Sequence, residues 1–524
     1  MILVNALAGG ALYCGLLPLW EGFDELYHYG YVQYISTRAA FPVAGRTALS
    51  RELWSSVEYT PLSTYIQPFV YRPSTSFQQY FALSNAERVS RRHALDGIPR
   101  EFQRESSPRE NYEAKHAPLT YLVLAPLDRW LSSEPLTSRV LILRLVLSFT
   151  SILLLWIGAN ALARAMHLSS AMQSAALFVL FCCQMIYAVS SHIGNDALLL
   201  PWFVVFVLAI IRACESPSGA RIALSAVAMA VGLLIKAFAL LLLPLLFVAP
   251  LIACSRNIRF GARLVAIACG IPLALAGPWY IRNLVLYRSL TASYDSIAAV
   301  SFGEIFTAAL EVPWPKSLAD MAHNALWTGN NMFTSFSAVT LDVLIVLLLL
   351  AFVLFALRFR RTIAEIVLLS AIGLYAAGLA AATAGFFVSS KGQVAVAAPW
   401  YLPVLFAPSL MLCFAGLDRW RPAGTWLAVV NVVLWAYVAV ASWIAKLIPQ
   451  YGGFPDPHAH LLQLWNWYWH QAPLRYSILR TLCPAPPAAI WSFLALVLAT
   501  LLPTCMLVLL GLVRERRLAL HKIP

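Results

Sequence analysis

Apolar residues in this chain gather into long unbroken blocks, and the polar residues fall between them. Blocks lie near 2–20, 139–163, 170–189, 196–213, 220–236, 237–254, 262–280, 339–357, 363–387, 398–416, 424–446 and 488–513. Most reach roughly 18 to 25 residues, the length that carries a helix across a bilayer. The pattern predicts an all-α polytopic membrane protein, a bundle of about twelve transmembrane helices. Three long polar connections, 21–138, 281–338 and 447–487, separate groups of blocks. Inside the first, the apolar stretch His116 to Leu131 carries Pro118 and Pro126. At about 16 residues it is short for a crossing and suits a helix lying on the membrane surface.

The 524 residues are 60% apolar and 12% charged, far from the balance of a soluble globular domain. A net charge of +13 would suggest nucleic acid as the partner of a soluble protein. Here the arginines occupy short connections instead. Arg164, Arg212 with Arg221, Arg256 with Arg259 and Arg263, Arg358 with Arg360 and Arg361, Arg419 with Arg421, and Arg514 with Arg516 and Arg517 all fall on one side. The positive-inside rule makes that side cytoplasmic, so the long connections are expected outside, as in a bacterial inner-membrane protein with an extracytoplasmic site. The nine cysteines form no CxxC pair and no metal-ligand spacing. Met1 to Trp20 lacks the positive start of a signal peptide and is expected to be a retained first span.

Charges at the outer ends of spans are the informative positions, because a charge at membrane depth is costly unless it faces a cavity with a partner. Glu21-Gly22-Phe23-Asp24-Glu25-Leu26-Tyr27-His28 follows the first span directly. On a continuing helix Asp24 and His28 share one face and Glu25 sits three residues before His28. That set suits a general base or a metal site; a solvated acidic helix start is the other reading. In Tyr112 to Tyr121, Lys115 and His116 could hold a phosphate or a sugar hydroxyl, or snorkel at a helix end. Ser190 to Leu198 opens the fourth span, where Asp196 fits an N-cap, although a cap leaves His192 and Asn195 unexplained. Lys236 is the single charge between Arg221 and Arg256, and at the outer membrane edge a lysine either snorkels or holds an anionic phosphate as a point charge. Arg282 has the same two readings beside the anchoring aromatics Trp279 and Tyr280.

Asp24 and Asp196 thus share a membrane face with Lys236, Arg282 and Lys115. Such a set suits transfer from a lipid phosphate. A carboxylate takes the proton of an acceptor hydroxyl attacking an anomeric carbon, and cations stabilise the departing phosphate. No Gly-rich phosphate loop is present.

Read together, the motifs resemble the GT-C superfamily of polytopic glycosyltransferases, in particular its glycosyltransferase family 39-like bacterial branch of protein mannosyltransferases and aminoarabinose transferases. Phe23-Asp24-Glu25-Leu26-Tyr27-His28 is similar to that family's Asp-Glu after the first span. Lys115-His116-Ala117-Pro118-Leu119-Thr120-Tyr121 is similar to its Pro-Pro-Leu-x-Tyr segment, with Ala117 in place of a proline. Leu143-Arg144-Leu145, Asn195-Asp196, Gly232 to Lys236, and Trp279 to Asn283 match later motifs in order. The resemblance implies a catalytic module over 1–290 and a C-terminal transmembrane region over 291–524. It also implies a polyprenyl-phosphate sugar donor, an acceptor that is a lipid, a glycan or a protein, and no nucleic acid. Asp24 would be the base, with Asp196 and Glu25 beside it, and Lys236 and Arg282 would meet the donor phosphate, with His28, Lys115 and His116 in support. Members differ in whether they need a divalent cation, and Asp24, Glu25, His28 and Asp196 leave both options open. One departure is Ala398-Pro399-Trp400-Tyr401-Leu402-Pro403, which lacks the arginine common at the start of this late span. Two other functions fit the same composition: a glycan polymerase or ligase, and a lipid or solute transporter, though no repeated halves are visible.

Overall fold

The computed structural model describes residues 1–63, 66–70, 74–292, 301–327, 335–454 and 461–520, so parts of the long connections lie outside the described residues. Among the described residues, nine helices are long and apolar enough to cross a membrane. The pair Ser170–Cys182 and Gln184–Ser190, bent by 60°, is a further candidate. Two shorter apolar helices, Ile2–Leu16 and Gly219–Ile235, fall on the remaining predicted blocks. Helices are the form such blocks must take, because hydrocarbon offers no partner for an open backbone N–H or C=O. The all-α polytopic architecture expected from the blocks is therefore observed. The exception is a small ribbon in the first connection, where Ala48–Ser50 pairs antiparallel with Ser106–Glu110.

Burial separates central from peripheral helices. Asp196–Glu215 has 83% of its apolar window buried inside the protein, whereas Ala338–Leu357 has 22% and turns Val343, Val346 and Leu349 outward. Ile2–Leu16 packs on Leu136–Ala165 and on Pro487–Leu520, so the first and last helices are neighbours. Asn5 reinforces that contact by donating its amide to Val497 O at 2.8 Å.

Prolines interrupt two predicted spans. Gly219–Ile235 ends at Lys236, whose backbone is extended at φ −157 and ψ 139. The next segment, Ala237–Phe247, holds Pro244 and winds as a 3-10 helix before the α-helix Val248–Arg256. The block 398–416 likewise opens with two 3-10 turns, Pro399–Tyr401 and Pro403–Leu405, and becomes α-helical at Phe406–Arg419. Proline has no N–H to give and its ring crowds the preceding turn, which favours the tighter winding here, whereas Pro201, Pro272 and Pro503 are accommodated inside continuous α-helices.

The first connection builds a layer with its own apolar core. Leu53 and Val57 of helix Arg51–Tyr59 meet Tyr29, Tyr31 and Val32 of helix Glu25–Arg38 and Tyr121 and Leu124 of helix Leu119–Trp130. Leu119–Trp130 has 12 residues and is about 18 Å long, too short to cross. It lies against Glu25–Arg38 and leaves Leu122, Val123 and Trp130 exposed, as a surface helix should.

Candidate active site

Between Ile2–Leu16 and Glu25–Arg38 the chain turns through two left-handed residues, Trp20 at φ 68 and Asp24 at φ 54. Non-glycine residues adopt this conformation rarely, and it persists where surrounding structure enforces it, often at functional sites. Asp24 occupies the N-cap position but makes no side-chain cap bond. Its carboxylate accepts from the Tyr112 hydroxyl instead. From residue 8 to residue 33 it is the one residue that is not fully buried. A solvated acidic helix start does not describe this segment, since every neighbour is packed away and Asp24 alone keeps partial exposure.

Asp24 and His28 are one turn apart, His28 N donating to Asp24 O at 3.1 Å, but their side chains serve different partners. His28 Nδ1 lies 2.8 Å from the Tyr121 hydroxyl and 3.8 Å from Glu113. Glu113 pairs with His116, and Lys115 beside them is buried. The Tyr31 ring stacks on Tyr121 with centroids 4.0 Å apart, and its hydroxyl donates to His116 O at 3.2 Å. Arg282 stands at the rim, its charge acting on Tyr31, its guanidinium 4.5 Å from the Trp279 ring and donating to Pro42 O at 2.7 Å.

Glu25 points the other way and is fully engaged. Arg144 Nε donates to it at 2.7 Å, a second N–H of Arg144 reaches its other oxygen, and Ile193 N donates at 3.0 Å. The rest of the Arg144 guanidinium donates to the carbonyls of Leu17 and of Pro18, the latter at 2.9 Å, at the end of Ile2–Leu16. Carbonyls at a helix C-terminus have no partner within the helix, so a buried arginine satisfies them and the carboxylate together. This hub ties the turn carrying Asp24 to the turn carrying His192 and Asp196. Those two turns touch closely. A Cβ added at Gly22 would lie 2.5 Å from His192 Cβ, so this contact requires glycine.

Asp196 is the first residue of its helix, and Asn195 is the cap residue. The Asp196 carboxylate is held by Lys236, whose Nζ lies 2.7 Å from both oxygens. The Tyr401 ring closes the far side, 4.2 Å from the ammonium. Both residues are buried, as an ion pair at a span end requires. Asn195 is completely buried, and neither of its amide atoms has a partner among the described residues. Leaving a buried donor or acceptor unpaired costs roughly 1–3 kcal/mol, so such an amide calls for a ligand or water.

Electrostatics knit these parts into one site. Burial, and then the Glu113 charge, push the Asp24 carboxyl up to about 7, while the Tyr112 hydrogen bond and Lys236 oppose them and Asp196 adds to the rise. Burial lowers the His28 imidazole to about 3, which makes it a neutral hydrogen-bonding group. Burial also acts against the Glu113 anion, but His116, His28 and Lys115 together hold that carboxyl below the usual range. The two carboxyls thus sit in opposed environments, Glu113 held toward its anion by the histidines and Lys115 and Asp24 raised by burial and by the Glu113 charge.

The structure brings together Asp24, His28, Lys115, His116, Asp196 and Lys236, sets Arg282 at the edge and turns Glu25 into the interior. Among the described residues no three metal-ligating side chains are close enough to hold a metal ion. Sequence reasoning missed Tyr112, Glu113 and Tyr401. The first two stand three and two residues before Lys115, and the third lies in the Pro-Trp-Tyr turn, noticed only for its missing arginine. Lys236 is met there by an aromatic face instead of a second cation.

No family model matches the chain, and no curated protein matches it significantly. Among solved structures it is similar to ArnT from Cupriavidus metallidurans bound to undecaprenyl phosphate. That match covers 96% of this chain and 76% of the other, at 12% identity and a TM-score of 0.47.

Proposed function

We propose that this chain is a GT-C-type membrane glycosyltransferase that moves a sugar from a polyprenyl-phosphate donor to an acceptor hydroxyl on the extracytoplasmic side. The observation that carries the reading is Asp24. It stands on a left-handed residue that alone keeps partial exposure in an otherwise buried turn, its carboxyl raised to about 7 mainly by burial, with Lys236 close enough to act on it. A base of that strength is half ionised near neutrality and can still accept a proton, the best compromise for general base catalysis.

Asp24 takes the acceptor proton as the acceptor oxygen bonds to the anomeric carbon. The bond from that carbon to the phosphate oxygen breaks with its electron pair, so the products are an inverted glycoside and polyprenyl phosphate. Lys236 meets the growing phosphate charge and Asp196 aims it, with Arg282, Lys115 and His116 around the entrance. The buried Asn195 amide, without a partner among the described residues, would take a sugar hydroxyl. Glu25 acts in this scheme as a positioning residue, through Arg144 and Ile193.

The test is release of polyprenyl phosphate from a panel of polyprenyl-phosphate sugars by protein in nanodiscs. Lys236→Met should lower kcat/KM for the donor on the order of 10²-fold, the scale of losing one electrostatic contact to a developing anion. Turnover by wild type with no loss in this variant would remove Lys236 from the phosphate. The pH profile gives a separate check. Transfer should rise with pH through about 7 as Asp24 ionises. Glu113→Gln removes a charge that raises Asp24, so the acid limb should move to lower pH. Tyr112→Phe removes a hydrogen bond that favours the Asp24 anion, so the limb should move up. Limbs that stay fixed in both variants would assign the titration to another group.

A further inference from the structure

A cavity lies at the bundle end away from the acidic cluster. Helix Pro487–Leu520 starts beside that cluster, where Ala485 N donates to Gly15 O at 3.3 Å, and Arg514 stands about 40 Å further along it. There a cavity of about 710 Å³ opens between the start of Ile2–Leu16, the end of Leu136–Ala165, the start of Ser170–Cys182 and the last turns of Pro487–Leu520. Its volume falls within the range of ligand sites.

The lining changes character along the helix axes. Deep in the bundle the walls are Trp156, Leu177 and Leu507. At mid-height Gln173 donates its amide to Asn160 Oδ1 at 2.9 Å, and Asn160 donates in turn to Trp156 O at 2.7 Å, so these amides are largely engaged with each other and the backbone. At the mouth stand Arg514 and Glu515. Glu515 is already committed, accepting from Ala171 N at 2.9 Å and pairing with Arg421 at 3.0 Å. Arg514 is exposed and has no hydrogen bond or ion pair among the described residues. Leu507 is 57% exposed, so one wall opens sideways toward the surrounding medium.

We propose that this cavity binds one anionic phospholipid, its phosphate on Arg514 and one acyl chain along Leu507 and Leu177 toward Trp156. Three features select that occupant. The charge sits at the mouth and is a cation left over after the local acid is satisfied, which favours an anionic headgroup. The deep walls are mainly apolar carbon, and the Thr504 hydroxyl among them already donates to Thr500 O at 2.6 Å. The gradient runs along the helices, hence along the membrane normal, as a lipid does. The bound chain would brace the start of Ile2–Leu16, a helix of only 15 residues whose other end leads into Asp24. This assignment stands apart from the glycosyltransferase reading, because nothing in it depends on the reaction.

The experiment uses the full chain, stripped of lipid in detergent, with native mass spectrometry and thermal unfolding in parallel. Phosphatidylglycerol and phosphatidylcholine with identical chains are the probes. Wild type should retain one phosphatidylglycerol and melt several degrees higher with it, and phosphatidylcholine should do less. Arg514→Gln should erase the difference between the two lipids. Gly511→Phe should block both by filling the cavity, since Gly511 lines it and an added Cβ would meet only Ala171 Cβ, at 3.8 Å. Unchanged melting of both variants without lipid separates loss of the site from loss of the fold. Equal retention of the two lipids by wild type and Arg514→Gln would overturn the proposal, as would full retention by Gly511→Phe.

Discussion

Asp24→Asn should lower polyprenyl phosphate release by about 10²- to 10⁴-fold, the range that a positioned general base supplies. The substitution keeps the shape and an oxygen for the Tyr112 hydroxyl, so the turn is retained. It also removes a charge that burial and Glu113 both disfavour. Thermal unfolding should therefore show a protein as stable as wild type or slightly more so. Loss of activity with loss of stability would point to a collapsed site instead of a missing base. Full turnover in the variant would sink the base assignment, and Glu113 would become the next carboxylate to test.

Arg144→Met should have the largest effect on the fold. It strands the Glu25 carboxylate, which is completely buried, and frees the carbonyls of Leu17 and Pro18. Removing one partner of a buried ion pair costs about 3–5 kcal/mol, because the remaining charge has no solvent and no counter-charge, here only the Ile193 N–H. A double variant, Glu25→Gln with Arg144→Met, should recover much of that loss, since no charge then stays buried. Detergent thermal unfolding of the two singles and the double reads the coupling directly. Additive losses would mean that the pair contributes little to the join between the Asp24 turn and the His192 to Asp196 turn.

These variants also separate what the sequence carried from what the fold added. Long apolar blocks dictate helices whatever their neighbours, because a bilayer leaves the backbone no other way to satisfy itself. The positions of the spans, the break at Lys236 and the surface helix after His116 were therefore legible from residue order alone. The candidates Asp24, Asp196 and Lys236 were legible for a related reason, since charges beside such blocks are costly without a partner.

The identity of each partner was not legible. Glu25 and Asp24 are adjacent and alike in chemistry, yet a left-handed residue turns the second onto Tyr112 and the first onto Arg144, more than a hundred positions away. Glu113 looked like one more acid in a polar loop, and it acts on Asp24 only because the loop folds back over helix Glu25–Arg38. Hydropathy depends on composition within a short window, so the chain by itself determined the helices and the membrane. Direction and contact depend on backbone angles and on residues distant in sequence, so the tertiary structure alone decided which carboxylate meets Tyr112 and keeps partial exposure and which one is buried on Arg144.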